Sequence, residues 1–311
     1  NDAGELLGAE SAAVSNRPPA TLALAPMWTP QGFALALAGR STLEPPPVIL
    51  RSEVKGMETW GGQTKTILEK IAWVATDESR FRVLVPCPPG AVNAHAAEVT
   101  AELQLADGNT VTATREISFW RPLQKTMTVD DSTVDWKDVP AIPVTIFDGL
   151  HMDLWKDAAD CSALLQLAWD KQALYLCVRV TDETHGQAYT GTQIWKGDSI
   201  QLALSQQPEA GTRTEIGFAL TAQGPRVFRW TQPRGPMAAV QCSIRRDDDE
   251  TLYEAAIPWT ELHIPVPSPG TTLGFALVVN DNDSGIREGW LRLFNGIAWS
   301  KDPGQFGTLF F

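Results

Sequence analysis

Residues 195–205 read WKGDSIQLALS, a segment in which apolar residues alternate with smaller or polar ones after residue 198. Because successive side chains of a β-strand point to opposite faces, Ile200, Leu202 and Leu204 are predicted to form one row that faces a core. Gln201 then points the other way, toward a concave or solvent-facing surface. The segment predicts a half-buried strand, preceded by a loop that carries a tryptophan.

The same alternation recurs on both sides of this segment. Strands are predicted at residues 164–169, 173–181, 199–205, 214–221, 226–231, 251–257, 273–280, 289–294 and 307–311. Helical periodicity is missing between them, so the sheets must be largely antiparallel and packed face to face. Residues 126–311 are therefore predicted to form a β-sandwich.

An earlier set of short strands predicts a second domain. Seven alternating runs lie between residues 20 and 125, and Asp107-Gly108-Asn109 joins the last two as a hairpin turn. This density of strands is typical of an immunoglobulin-like sandwich. Residues 1–19 are polar and Ala-rich, which predicts a linker or disordered lead-in. The fold class is thus all-β, with two antiparallel β-sandwich domains in tandem and a boundary near residue 125.

Composition restricts the class of partner. The formal charge is -12, and nucleic-acid binding needs clustered basic residues, so no nucleic-acid partner is expected. No apolar run is long enough for a membrane span, so no membrane partner is expected either. Twelve Trp stand against three Tyr, and indole rings serve as core plugs or as flat apolar platforms. A neutral polymer such as a polysaccharide would be indifferent to the negative charge, so the charge permits a sugar partner without indicating one.

The four cysteines give little information about compartment. Cys87, Cys161, Cys177 and Cys242 have no CxxC spacing and no clustering with His, which argues against zinc. They are interpreted as buried small hydrophobes, and one disulfide of undetermined pairing is left open. The chain opens at Asn1 without Met, as a processed or excised chain would.

Six segments, in order, resemble the family 9 carbohydrate-binding modules and their DOMON-like relatives. They are DWKDVPAI at 135–142, Trp169-Asp170 with Leu174-Tyr175-Leu176, WKGDSIQL at 195–202, YEAAIPW at 253–259, Gly274-Phe275 through Val279-Asn280-Asp281, and Lys301-Asp302-Pro303 with Phe306-Gly307. The resemblance covers about residues 126–311 and implies a β-sandwich that binds sugar.

The resemblance implies a site of the kind found in sugar-binding members. There, two Trp rings sandwich a terminal sugar, and nearby polar side chains form hydrogen bonds with its hydroxyls. Trp195 and Trp299 lie where the family has those rings. Gln201 stands where binding members have a Glu, and Asn295 lies one residue from the binding Asn.

Two positions depart from the pattern of the sugar-binding members. Gly217 occupies the approximate position of a sugar-binding Arg, and Val278 occupies that of a sugar-binding Gln. Among the other tryptophans, Trp136, Trp169 and Trp259 are interpreted as core plugs, whereas Trp230 and Trp290 are reserve candidates for the site.

A metal site is one of two readings of the segment Asp281-Asn282-Asp283-Ser284-Gly285. Oxygen donors at Asp281 and Asp283 ahead of a glycine can bind Ca²⁺, and the resemblance implies that members can carry structural calcium. A polar turn between two strands is the preferred reading. Asp247-Asp248-Asp249-Glu250 is interpreted as a solvated loop. No cofactor is expected to be required.

Catalytic motifs are missing: the sequence has no nucleophile elbow, no HExxH and no phosphate loop. Haem, which some DOMON-like relatives bind, would need axial ligands such as His151, Met152 or Lys196.

We therefore expect a non-catalytic accessory region of a secreted carbohydrate-active protein, a monomer within a larger polypeptide whose partner is an oligo- or polysaccharide. The expected location is extracellular, periplasmic or at the cell surface. The alternative is a degenerate structural or protein-interaction module that keeps the fold without binding sugar.

Overall fold

The computed structural model describes residues 120–311 apart from residues 145, 150, 152 and 153, with residue 209 described in its backbone alone. Before residue 120 it describes the backbone of eight strands. The lead-in predicted over residues 1–19 lies outside the described residues.

The first eight strands form two antiparallel groups. They are β1 Ala20–Thr29, β2 Gly32–Ser41, β3 Val48–Gly56, β4 Thr64–Ile71, β5 Ala75–Asp77, β6 Arg80–Pro86, β7 Ala94–Gln104 and β8 Thr110–Trp120. One group has the order β1-β2-β6-β5 and the other β4-β3-β7-β8. The predicted hairpin joins β7 to β8, which pair from Gln104 and Thr110 onward, although its turn residues lie outside the described residues. The immunoglobulin-like identity and the boundary near residue 125 stay predictions.

Fourteen strands follow in the rest of the chain. They are β9 Leu123–Gln124, β10 Ala141–Val144, β11 Ile146–Asp148, β12 Cys161–Trp169, β13 Ala173–Asp182, β14 Ser199–Ser205, β15 Thr214–Thr221, β16 Gly224–Arg229, β17 Gly235–Pro236, β18 Gln241–Asp247, β19 Glu250–Pro258, β20 Thr272–Asp281, β21 Gly289–Leu293 and β22 Gly307–Phe310. The helical pieces are α1 Trp259–Leu262 and the 3-10 helices Gly191–Lys196, Pro208–Ala210 and Pro303–Gln305.

These strands build two sheets. The first has the order β10-β12-β13-β19-β18, and β9 pairs with β12 in parallel. The second has the order β17-β16-β15-β14-β20, and β20 then pairs with both β21 and β22 along different parts of its length. β11 pairs with β21. The predicted all-β sandwich is confirmed.

The main core lies between the two sheets. Ile200, Leu202 and Leu204 face it from β14, as the alternation predicted, and each is at most 1% exposed. Trp169 and Trp259 pack edge-on against Phe311 with ring centroids 5.2 and 5.8 Å away. Both tryptophans were interpreted as core plugs, and their burial confirms it.

A further layer covers the outer face of each sheet, so that side chains pointing away from the main core are buried too. On the first sheet, Trp136 packs with Tyr175 and its Nε1 donates to Glu254 Oε1 at 2.8 Å. On the second sheet, Val278 packs beneath Trp290. Ile194, from the 3-10 helix, packs on the same sheet. These coverings leave a cavity on the outer face of the second sheet.

One strand of the preceding region joins the second sheet. β8 pairs in parallel with β22, with Phe119 opposite Thr308 and Trp120 opposite Leu309. Trp120 is buried in the main core. A screen of the described residues finds no helix with the length and apolarity of a membrane span.

Candidate functional site

A cavity of about 640 Å³ lies over β14 and β15. The 3-10 helix Gly191–Lys196 contributes Trp195 to its wall, and Gln201 and Glu215 contribute to its lining from the strands. Basic side chains complete most of the lining, together with Trp230. The structure thus brings Trp195 and Gln201, two of the predicted site residues, into one cavity.

The backbone on both sides of Trp195 is held by hydrogen bonds. Ile194 is fully buried against the sheet, and its carbonyl accepts a bond from Gln187 Nε2 at 2.9 Å. On the other side, Asn282 Nδ2 donates to the carbonyl of Lys196 at 2.6 Å. The indole itself is half-buried. It can therefore present a face to a ligand without first becoming ordered.

The lining of the cavity is polar. Gln201 is 4% exposed and its Nε2 lies 3.5 Å from Glu215 Oε1 on the neighbouring strand. Glu215 also accepts from Arg213 Nε at 3.2 Å and from Lys301 Nζ. This network offers amide and carboxylate atoms near the aromatic rings, which is the chemistry that sugar hydroxyls require.

Trp230 is a second aromatic ring in the cavity. Its Nε1 donates to the carbonyl of Thr192 at 2.9 Å, which ties β16 to the 3-10 helix. A Cβ placed on Gly217 would lie 2.2 Å from Cη2 of this ring. The indole therefore fills the space where the resemblance places a sugar-binding Arg. Gly217 is the feature in the sequence that indicated open space at this position. Only the pairing of β15 with β16 shows that the ring of Trp230 fills that space.

The other two predicted site residues lie elsewhere. Asn295 and Trp299 line a smaller neighbouring cavity of about 60 Å³, and Ala298 borders both cavities. Trp299 is 60% exposed, and its ring centroid lies 5.0 Å from that of Trp290. Its Nε1 donates to Asp148 Oδ2 at 3.3 Å. The structure thus places Trp195 and Trp299 against different cavities.

Arg287 lies between the two aromatic groups. Its guanidinium carbon is 4.1 Å from the ring centroid of Trp290 and 5.4 Å from that of Trp195. Its Nε and Nη2 are buried without a hydrogen-bond partner, and burial lowers the pKa of the guanidinium to about 10. The two reserve candidates thus both lie next to the cavity. Trp230 lines it, and Trp290 contacts Arg287, which also lines it.

A cluster of carboxylates lies beside the 3-10 helix. Oxygens of Asp182, Asp281 and Asp283 lie within 4.8 Å of one another, and two overlapping groups add Asp160 with Glu183, and Asp198 with His185. Asp281 and Asp283 were predicted from their spacing. The others come from distant segments of the chain, so no local pattern reveals them.

Burial raises the pKa values of three carboxyl groups in this cluster. Desolvation, reinforced by neighbouring carboxylates, raises the pKa of Asp198 to about 9, that of Asp281 to about 8 and that of Asp283 to about 6. Both oxygens of Asp281 are buried without a hydrogen-bond partner. Unsatisfied carboxylate oxygens at this spacing fit a hard divalent cation such as Ca²⁺.

The acidic cluster and the Trp195 helix are joined through two residues. Asp198 Oδ1 accepts from the backbone N–H of Asn282 at 2.8 Å, and Asn282 also binds Lys196 as described above. The backbone N–H of Gly186 donates to Asp198 Oδ2. A change in the cluster is therefore expected to reach the aromatic wall of the cavity.

Comparison with known proteins assigns the second sandwich to a family. A sequence model described as "Carbohydrate family 9 binding domain-like" matches residues 129–311, more than half of the chain. The chain belongs to this family.

Endo-1,4-beta-xylanase A of Thermotoga neapolitana is 24% identical over 212 residues, which are 60% of this chain and 19% of that enzyme. Its namesake from Thermoanaerobacterium saccharolyticum is 26% identical over 183 residues, or 53% and 15% of the two chains.

A solved structure supports the same fold. The family 9 carbohydrate-binding module of Caldicellulosiruptor kristjanssonii in complex with glucose is 19% identical, with a TM-score of 0.50. The likeness covers 62% of this chain and 95% of that one. The chain thus spans less than a fifth of the xylanases' length but nearly all of an isolated family 9 module. The DOMON-like relationship stays a prediction.

Proposed function

We propose that residues 126–311 are a non-catalytic carbohydrate-binding module that acts as an accessory region of a secreted carbohydrate-active protein. The observation that carries the proposal is the cavity in which Trp195 and Trp230 accompany the polar pair Gln201 and Glu215. The family assignment supports it. The glucose complex of the related module and the two xylanases make glucose- and xylose-based sugars the first ligands to test.

The chemistry of a sugar matches this lining. A pyranose presents a face of C–H groups that stacks on an indole, while its hydroxyls need amide or charged partners at the rim. Trp195 supplies a half-buried aromatic face. Gln201 and Glu215 supply an amide and a carboxylate next to one another. A stacked sugar would therefore meet hydrogen-bonding groups within the same cavity.

The Trp195–Trp299 sandwich predicted from the sequence stays a prediction. Trp230 is a second candidate for the opposing ring, because it shares the cavity with Trp195 whereas Trp299 borders the smaller one.

Calorimetric titration with glucose, xylose, cellobiose and xylobiose tests both points. Trp195→Ala is expected to weaken binding by about tenfold or more. The ring whose removal has a comparable effect, Trp230 or Trp299, is the second ring of the clamp.

A second candidate function is a structural or protein-interaction module that keeps the fold without binding sugar. Gly217 and Val278 favour it, because neither can replace the polar contacts that the resemblance places there. If neither these sugars nor their acidic counterparts bind the folded wild-type chain, and Trp195→Ala is equally silent, this second function is favoured.

We also propose that the acidic cluster holds a structural calcium ion. Asp182, Asp281 and Asp283 would supply carboxylate ligands, and the ion would neutralise charges that burial disfavours. A rise in melting temperature on adding Ca²⁺ to chelator-treated protein would support the site if it is lost in Asp281→Asn and kept in Asp247→Asn, at the exposed end of β18. An equal rise in all three proteins would exclude it.

A further inference from the structure

The large cavity carries a charge opposite to that of the chain. Its lining includes five basic side chains, Lys196, Arg213, Arg234, Arg287 and Lys301, and one carboxylate, Glu215. The whole chain has a formal charge of -12. Basic residues are the minority in this protein, so their concentration around one cavity marks it as a local positive field. Such a field raises the local concentration of anions and orients them.

The carboxylate of Glu215 neutralises only part of this positive charge. Arg213 lies 3.2 Å from one of its oxygens, and Lys301 binds the other. Arg213 is also tied to the backbone, since its Nη1 donates to the carbonyl of Lys301 at 3.1 Å. Two cations thus share one buried carboxylate, which is 3% exposed in its side chain. This group of three retains a net positive charge.

The other three basic residues have no carboxylate within salt-bridge distance among the described residues. Lys196 lies above the rings of Tyr189 and Trp195, with its Nζ 5.8 and 5.7 Å from their centroids. Arg234 is exposed at the mouth of the cavity. Arg287 is held between two indoles and has lost most of its hydration, which is costly for a charge that has no partner.

We infer that the cavity selects a saccharide that carries a carboxylate, a uronic acid residue, over the corresponding neutral sugar. This inference rests on the proposed carbohydrate-binding function and specifies the class of sugar. The pyranose ring stacks on Trp195, and its carboxylate lies among Lys196, Arg234 and Arg287. The anion restores the charge pairing that those three cations lack within the described chain.

The combination of groups favours a uronate over other anions. A guanidinium matches the planar geometry of a carboxylate, and hydrogen bonds between ionised partners are about twice as strong as neutral ones. The indole faces add a contact that a bare inorganic anion cannot use. A sulfated sugar shares the negative charge and the ring but has a tetrahedral anion, so it serves as the discriminating ligand.

Calorimetric titration of the full chain tests the inference with D-glucuronic acid, its neutral methyl ester, D-glucose and glucose 6-sulfate. We expect the acid to bind about tenfold more tightly than the ester or glucose. Raising NaCl from about 0.02 M to about 0.5 M should reduce that preference. Arg234→Gln and Arg287→Gln should each lower the ratio of the affinity for glucuronic acid to the affinity for glucose. Arg245→Gln, on β18 of the other sheet, is the matched control and should change nothing.

The outcomes separate this inference from the function on which it rests. Equal affinity for glucose and glucuronic acid would overturn the charge selection and leave carbohydrate binding intact. Glucose 6-sulfate binding as tightly as glucuronic acid would overturn selection of a carboxylate. No binding of any of these four sugars, nor of xylose, cellobiose or xylobiose, would overturn both. Arg234→Gln keeps the test valid if Arg287→Gln fails to fold, because Arg234 is exposed.

Discussion

The ring of Trp230 occupies the space above Gly217, so that a Cβ added there would lie 2.2 Å from Cη2 and 2.6 Å from Cζ3 of the indole. Gly217→Ala must therefore displace the ring or the strand, and we expect it to lower the free energy of unfolding by about 1–3 kcal/mol. Urea unfolding measures the loss. In a Trp230→Ala background the same substitution should be nearly neutral. An equal loss in both backgrounds would show that the ring is not the obstacle.

Without a bound cation, the protein is expected to become less stable as pH rises. Asp198, Asp281 and Asp283 have folded pKa values of about 9, 8 and 6. An unfolded Asp ionises near pH 4, so between about pH 4 and 9 the folded state binds more protons and its stability falls. Urea unfolding in a chelator at several pH values measures this slope.

Calcium should reverse that trend, because an ion that binds the ionised carboxylates stabilises the folded state more as pH rises. Asp281→Asn should flatten the slope in the chelator and abolish the gain with Ca²⁺. Stability that increases with pH in the chelator would contradict the raised pKa values.

Asn282 is expected to act on sugar binding from outside the cavity. Asn282→Ala removes the bond to the carbonyl of Lys196 and frees one end of the helix that carries Trp195. Affinity for a bound sugar should fall several-fold, roughly 0.5–1.5 kcal/mol for one lost hydrogen bond. Gln223→Ala, in the exposed turn between β15 and β16, is the control. Equal affinities for the two variants would show that the cavity wall is rigid without this bond.

Two tryptophans in edge-to-face contact, Trp290 and Trp299, should differ strongly in their contribution to stability. Trp290 is 3% exposed and packs on Val278, whereas Trp299 is 60% exposed. We expect Trp290→Ala to cost about 3–5 kcal/mol, the usual loss for a buried aromatic ring. Trp299→Ala should cost at most about 1 kcal/mol. Chemical denaturation of the two variants measures the difference, and similar losses would place Trp299 in the core.

The strands that could be predicted are those with one regular apolar face. The nine strands predicted in the second sandwich all exist, because each presents alternate residues to one core. Gln241–Asp247 was missed: it forms an edge strand whose residues are mostly partly or fully exposed, so little alternation remains. The loop predicted over Asp247–Glu250 is confirmed at residues 248 and 249, which form an exposed turn, whereas Asp247 and Glu250 pair with each other as the ends of β18 and β19.

The site was predictable only where its parts lie within one segment. Trp195 and Gln201 belong to one loop and strand, so their shared cavity follows from local alternation. Trp230 reaches the cavity because a glycine on the neighbouring strand leaves room, which depends on cross-strand register. The acidic cluster joins residues from several separate loops and strands, and no local pattern brings them together.

The parallel contact between β8 and β22 determines how the second sandwich can be isolated. A chain that began at residue 126 would remove Phe119 and Trp120 from beside Thr308 and Leu309, and leave that edge of β22 open. Open edges pair with strands of other molecules and promote aggregation. A chain that began at Ala94 would keep β8 beside β22 but would open the edge of β7 that pairs with β3. For recombinant work, the sandwich is therefore best isolated together with β3, β4, β7 and β8, from a starting point before Val48.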